Sequence, residues 1–368
     1  MKQLVICSKD LHLHYDRVLD YGEMQLYNQP IHFALIEYQA PHFQPQKSPK
    51  GVLVKKKAFS CNYRDRSIMN TLRERINQSK NLTFFPIGSE FAGEVVKVGT
   101  EVNHLKIGDR VIADAFYQFP PISMAPPGLP TNSASREYEV FHEEKLAKIP
   151  ENMSASVAAA FTIGAQTVYS MIDRLQLKPG ARVLVTGVKS KTSLFAIQAL
   201  KNKGVDICGV SRSQVDVAYF KRLGLSHVFC IGDKNIGELP ETLTYLKDHG
   251  PFDAVIDPFS DFYLLKVLDA MAFGSRYITC GLSNQTEEKF TLVDLTQTFG
   301  KILLLNISII GNCLGTTQHL QQALDDYSQR KFEVTIGSEI ENDITAFMEK
   351  SFLDHEHRGK VIYKYSDY

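Results

Sequence analysis

The chain has 368 residues, enough for two domains with proper cores, and its 44% hydrophobic and 22% charged residues are those of an ordinary globular protein. Its 41 basic residues balance 41 acidic ones, so no electrostatic case exists for a nucleic-acid binder or a funnel for acidic substrates. The apolar run Leu4–Cys7 is too short for a secretory signal core, and no later stretch reaches membrane-spanning length. A cytoplasmic protein is expected. The six cysteines are scattered with no C-x-x-C pair, as reduced thiols would be.

Residues 1 to about 150 read as short strands joined by turns. Val52–Val54 and Glu94–Gly99 are strand-like, and Arg110–Ala113 follows the turn Gly108-Asp109. Pro41, Pro45 and Pro49 punctuate an irregular early stretch; the Pro-rich segment from Pro120 to Pro130 reads as a long surface loop. The character changes near residue 155, where Ala155–Phe161 is helical behind the cap Ser154. From Lys178 onward, strands are expected at Arg182–Thr186, Asp206–Ser211, His227–Ile231, Ala254–Asp257, Ser275–Cys280 and Ile302–Ile310. Helices fall between most of them, such as Leu194–Lys203 and Val215–Leu223. Apolar strands alternating with amphipathic helices call for a parallel sheet covered on both faces. The tail after about residue 314 is mixed and ends in the strand Lys360–Tyr363.

Three stretches carry chemistry. The first is Gly88-Ser89-Glu90-Phe91-Ala92-Gly93-Glu94-Val95-Val96-Lys97-Val98-Gly99, followed by Ile107-Gly108-Asp109-Arg110-Val111. The second is Lys178-Pro179-Gly180-Ala181-Arg182-Val183-Leu184-Val185-Thr186-Gly187, and the third the closing Arg358-Gly359-Lys360-Val361. In this order and spacing they resemble the medium-chain dehydrogenase/reductase superfamily over nearly the whole chain. The resemblance implies an α/β protein. A GroES-like, partly open β-barrel catalytic domain would span residues 1–163, and a Rossmann domain with a doubly wound parallel six-stranded sheet 164–313. Residues 314–368 would return to the catalytic domain.

Zinc members of that superfamily carry a Cys in a CxxD element and a His in a GHE element. Here Asn62-Tyr63-Arg64-Asp65 and Ser89 stand in their places, and Phe161–Gly164 offers no thiolate. Zinc needs soft thiolate or imidazole donors, so no metal is expected. The four-Cys structural lobe is missing too, and the pairs His12/His14 and His355/His357 have no third partner nearby in sequence. By resemblance to the zinc-free quinone oxidoreductase and enoyl reductase branch, Asn62 would lie near the nicotinamide. Tyr63 would donate a hydrogen bond or proton to the substrate, with Arg66 a further cation beside it. Asp65 and Glu90 match structural acids. Tyr117, Phe119 and Arg136, from the loop replacing the metal lobe, are candidates for a substrate mouth.

The cofactor turn reads Gly187-Val188-Lys189-Ser190-Lys191-Thr192-Ser193, with serines where the family has its second and third glycines. Serine hydroxyls and the two lysines could hold phosphate, although a Cβ at a positive-φ position would be strained. At the end of the second Rossmann strand, Ser211 and Arg212 replace the acid that NAD users place there, which favours a 2′-phosphate and hence NADPH. By resemblance, Thr167, Gly281 and Leu282 would meet the nicotinamide.

Without a metal to hold an alkoxide, hydride transfer favours substrates whose charge delocalises, such as enones, enoyl thioesters, quinones or dehydroamino-acyl groups. Dehydroalanine in a peptide is included. Two alternatives stay open: zinc-free carbonyl reduction or reductive cyclisation in natural-product assembly, and a non-catalytic NADPH-binding or structural protein. The resemblance also implies a homodimer through the edge strand near Leu303–Ile310. The partners expected are a small-molecule or peptide substrate with a conjugated C=C bond, and no nucleic acid or membrane.

Overall fold

The computed structural model describes residues 1–79, 81, 83–116, 133–282, 292–354 and 359–366. Tyr117, Phe119, His355, His357 and Arg358 lie outside the described residues. The chain divides into two units, Met1–Ile163 with Val334–Tyr368, and Gly164–Glu333. Residues 314–333, which the resemblance would place in the C-terminal return, group with the second unit.

The first unit opens with β1 (Lys2–Cys7), α1 (Leu11–His14), β2 (Val18–Leu26) and β3 (Gln29–Glu37). Then come β4 (Gly51–Ser60), α2 (Asp65–Gln78), β5 (Phe84–Pro86), β6 (Glu90–Val98), β7 (Arg110–Ala113), β8 (Tyr138–His142), β9 (Leu146–Lys148) and α3 (Ala155–Ala158). Residues before Val52 build most of a separate four-stranded sheet, ordered β2-β3-β1-β5. Its β2–β3 hairpin turns on Tyr27 and Asn28, both at positive φ, the geometry that matches a hairpin's twist. In the larger sheet β4 and β6 approach so closely that a Cβ on Gly93 would lie 2.3 Å from Val54 Cγ1, so only glycine fits.

The second unit begins within α4 (Thr162–Leu175) and continues through β10 (Arg182–Val185), α5 (Lys191–Leu200), β11 (Asp206–Ser211), α6 (Val217–Leu223), β12 (His227–Cys230) and α7 (Pro240–His249). It is completed by β13 (Phe252–Asp257), α8 (Ser260–Val267), β14 (Met271–Thr279), α9 (Leu292–Leu304), β15 (Ser308–Gly311) and α10 (Thr317–Ser328). The six strands are all parallel, in the order β12-β11-β10-β13-β14-β15. This is the doubly wound arrangement, and its order reverses between β10 and β13. One expected strand differs. Ile302–Leu304 finish α9, and β15 starts only at Ser308, after Asn306 turns the chain at φ 50°. An unbroken apolar run does not reveal by period where a helix ends and a strand begins.

The chain then returns to the first unit with β16 (Ile336–Glu341), α11 (Ile344–Phe352) and β17 (Lys360–Lys364). They extend the large sheet to the order β16-β17-β4-β6-β7-β9, with β8 pairing on β4. Its core centres on the buried ring of Phe59, whose centroid lies 5.1 Å from that of Phe347 and 5.3 Å from that of Tyr363. Among the described residues, no helix is long and apolar enough to cross a membrane.

Candidate functional site

In the first unit, β4 delivers Asn62 and Tyr63 at its end, just before α2. Asp65 is buried; it accepts hydrogen bonds from Asn62 N at 2.6 Å and Ser89 Oγ at 2.6 Å. Burial pushes its carboxyl above the ordinary range, opposed chiefly by the nearby Arg64 guanidinium. The Asn62 amide is held on both sides. Its Nδ2 donates to Glu90 Oε1 at 2.6 Å, and its Oδ1 accepts from the Lys360 ammonium, which also pairs with Glu90. The other Glu90 oxygen accepts from Ile163 N at 2.9 Å. Three donors from distant parts of the sequence thus converge on one fully buried carboxylate. Lys360 was visible in sequence only as part of a closing motif; nothing there pointed to Asn62.

Tyr63 is 39% exposed. The Arg66 guanidinium lies over its ring at 5.0 Å and over that of Tyr27 at 5.1 Å, so this cation packs against aromatic faces. Arg136 reaches Gln3 and Glu139.

The second candidate constellation lies at the carboxyl ends of β10, β11 and β13. Gly187 turns the chain at φ 54°. Ser190, at φ −71°, caps α5, and neither Ser190 nor Ser193 takes a positive φ, so the serines carry no backbone strain. Their hydroxyls, however, are committed within the loop. Ser190 Oγ accepts from Ser193 N at 3.1 Å and donates to Ser193 Oγ at 2.8 Å, which donates to Thr186 O at 2.6 Å. Ser211 Oγ likewise donates to Ser213 O at 2.7 Å. In this arrangement each of these hydroxyls donates its proton to another protein atom. Lys191 and Thr192 form the first turn of α5, half-buried.

Arg212 is 64% exposed, pairs with Asp233 at 3.0 Å and lies 5.0 Å over the ring of Phe262. Lys189 Nζ donates to Ser213 Oγ at 2.9 Å. Thr167 is buried on α4, and the Gly281 carbonyl accepts from Ser260 N and Oγ, while Leu282 is exposed. At the floor of the crevice the buried Asp257 carboxylate accepts from Thr186 Oγ1 at 2.5 Å, Phe259 N at 2.7 Å and the Tyr277 hydroxyl.

Residues 48–151 match the alcohol dehydrogenase GroES-like domain, and residues 192–329 match the zinc-binding dehydrogenase domain. The chain belongs to the medium-chain dehydrogenase/reductase superfamily. That superfamily is one of oxidoreductases that bind a nicotinamide cofactor. A zinc-type alcohol dehydrogenase-like protein of Schizosaccharomyces pombe is 26% identical over 339 residues, 89% of this chain and 94% of the relative. Among solved structures, an NAD-dependent alcohol dehydrogenase superposes with a TM-score of 0.76 at 22% identity, covering 95% of this chain and 98% of the other. A quinone oxidoreductase of Pseudomonas syringae pv. tomato DC3000 superposes with a TM-score of 0.69 at 22% identity, covering 90% and 95%. These structures establish the medium-chain fold. Among the described residues of this medium-chain protein, no three His, Cys, Asp or Glu side chains gather to hold a metal.

Proposed function

We propose that the chain is an NADPH-dependent, zinc-independent reductase that transfers hydride to an activated C=C bond in an enone, enoyl, quinone or dehydroamino-acyl substrate. The observation that carries the metal-free half is the clamp on Asn62. Where zinc members hold a thiolate there is a neutral amide, and the strongest oxygen donor beside it, Glu90, already pairs with the Lys360 ammonium. A dication placed there would meet an ammonium, an amide and the Ser89 hydroxyl, a poor set for zinc.

The residues present do fit a phosphorylated dinucleotide. The turn at Gly187 leads into the N-terminus of α5, Lys189 and Lys191 flank it, and Arg212 directly follows β11 where a carboxylate would repel a 2′-phosphate. The cofactor supplies hydride when bound. On the protein side, Tyr63 donates a hydrogen bond or proton to the substrate oxygen, Asn62 is held fixed by Glu90 and Lys360, and Thr167, Gly281 and Leu282 serve the nicotinamide end. Arg66, lying over the Tyr63 ring, positions that ring. The quinone oxidoreductase neighbour is in keeping with this chemistry. We further propose a cytoplasmic homodimer joined through β15, which among the described residues pairs only with β14, with Ile309 exposed on it and Leu303 and Leu304 exposed just before it.

The test is anaerobic mixing with NADPH and a panel of enones, quinones and simple ketones, alongside metal analysis. Oxidation of NADPH by enones or quinones, unaffected by chelators, is expected, and Tyr63→Phe should lower kcat by about a hundredfold with the fold retained. One zinc per chain with turnover of simple ketones would refute it. Tight NADPH binding with no acceptor reduced would point to the non-catalytic binder.

A further inference from the structure

A dinucleotide bound to a doubly wound sheet runs from the first βα turn, where its pyrophosphate sits, to the end of the second strand, where its adenosine ribose is held. In this chain that path goes from Gly187 to Ser211 and Arg212. Three aromatic side chains at the start of α8 lie along it. A Cβ built on Gly187 would lie 3.0 Å from Phe259 Cδ2 and 3.4 Å from Tyr263 Cε2, so both rings rest directly on the turn. Tyr263 is only 5% exposed, and its hydroxyl faces the main-chain N–H groups of both Gly187 and Arg212. Phe262 backs the Arg212 guanidinium and the Lys266 ammonium, each 5.0 Å from its ring centroid. The side chain of Tyr263 therefore lies between the first turn and the end of the second strand.

We propose that Tyr263 is a gate on the adenosine half of the cofactor groove, held shut by the contacts of its ring and hydroxyl with the Gly187 turn and the end of β11. Binding of the dinucleotide requires the side chain to swing out, and Phe259 to yield with it. The gate rests on the reading of this groove as a dinucleotide site. It acts only on ligands that reach the Gly187 turn with a phosphate or carry adenosine, so a reduced nicotinamide riboside, which has neither, passes it by. A protein whose open form is a minor population binds with its affinity reduced by that fraction, and when opening is slow the observed rate levels off at the opening rate.

Stopped-flow binding of NADPH, read by nucleotide fluorescence, tests this in the full chain. For the wild type the observed rate should level off as NADPH is raised. In Tyr263→Leu, which keeps an apolar filler in the buried space, the rate should rise linearly and affinity should tighten about tenfold. Tyr263→Phe, which removes only the hydroxyl, should raise the plateau a fewfold, about threefold. Reduced nicotinamide riboside, which lacks both phosphate and adenosine, should bind all three alike. A linear rate in the wild type overturns the gate even if both variants fail to fold. So do equal NADPH affinities across the three proteins; either result leaves the reductase reading standing. If neither the wild type nor the opened variant binds NADPH by calorimetry, the gate and the dinucleotide reading fall together.

Discussion

Asp257 offers a direct way to test how the crevice floor is held. Its carboxyl is fully buried, and burial pushes its pKa from 3.8 to about 6 despite hydrogen bonds from Thr186, Tyr277 and Phe259 N. An acid whose pKa is higher in the folded state binds protons better there than when unfolded. Its contribution is therefore most favourable below the unfolded value and declines as pH rises through the folded one. The full difference of about two units corresponds to about 3 kcal/mol, reached above pH ~7. Between about pH 4.5 and about pH 7 some 2 kcal/mol of it, roughly, should be lost.

Asp257→Asn isolates that contribution. The asparagine oxygen can still accept from Thr186 Oγ1 and Phe259 N, and its amide can donate to the Tyr277 oxygen, so the packing survives while the titration is removed. Urea unfolding of both proteins across this pH range should show wild-type stability, relative to the variant, falling by about 2 kcal/mol as pH rises. A stability difference that does not change with pH would refute the reasoning. It would mean that the three donors hold the carboxylate ionised throughout.

Three further outcomes are expected. Arg212→Ala should weaken NADPH binding about tenfold, the scale of one partly exposed charge-assisted contact, and leave NADH unchanged, whereas Asp233→Asn, which releases the guanidinium from its present partner, should tighten NADPH a fewfold, about two- to threefold, by calorimetry. Ile309→Lys, a charge on the exposed edge strand, should shift a dimer toward monomer in sedimentation velocity; a wild type that sediments as a monomer would remove the dimer proposal.

Much of the fold was legible in the sequence because strands and helices in both units obey period and punctuation. Arg110–Ala113 and Asp206–Ser211 are the strands expected, and Ser154 caps its helix by accepting from Val157 N. The strand misplaced at Ile302 lies where apolar residues run without a break. The candidate site was legible only as a set of residue types. That Ser190 and Ser193 would turn their hydroxyls onto each other and onto Thr186 O depends on a three-dimensional loop, as does the meeting of Lys360 with Asn62 across almost the whole chain length.

The loop's internal hydrogen bonds and the aromatic gate have one consequence in common. A glycine-rich turn presents bare N–H groups to a pyrophosphate; here Ser190 Oγ has already taken the Ser193 N–H, and the Tyr263 hydroxyl faces that of Gly187. On the proposed dinucleotide reading, with fewer main-chain donors on offer, phosphate recognition would shift to Lys189 and Lys191, acting as point charges, and to the guanidinium fork of Arg212. Such contacts are screened by salt far more than buried N–H groups are. On the proposed reading, such a groove would hold its cofactor largely by charge once the aromatic side chains had moved aside.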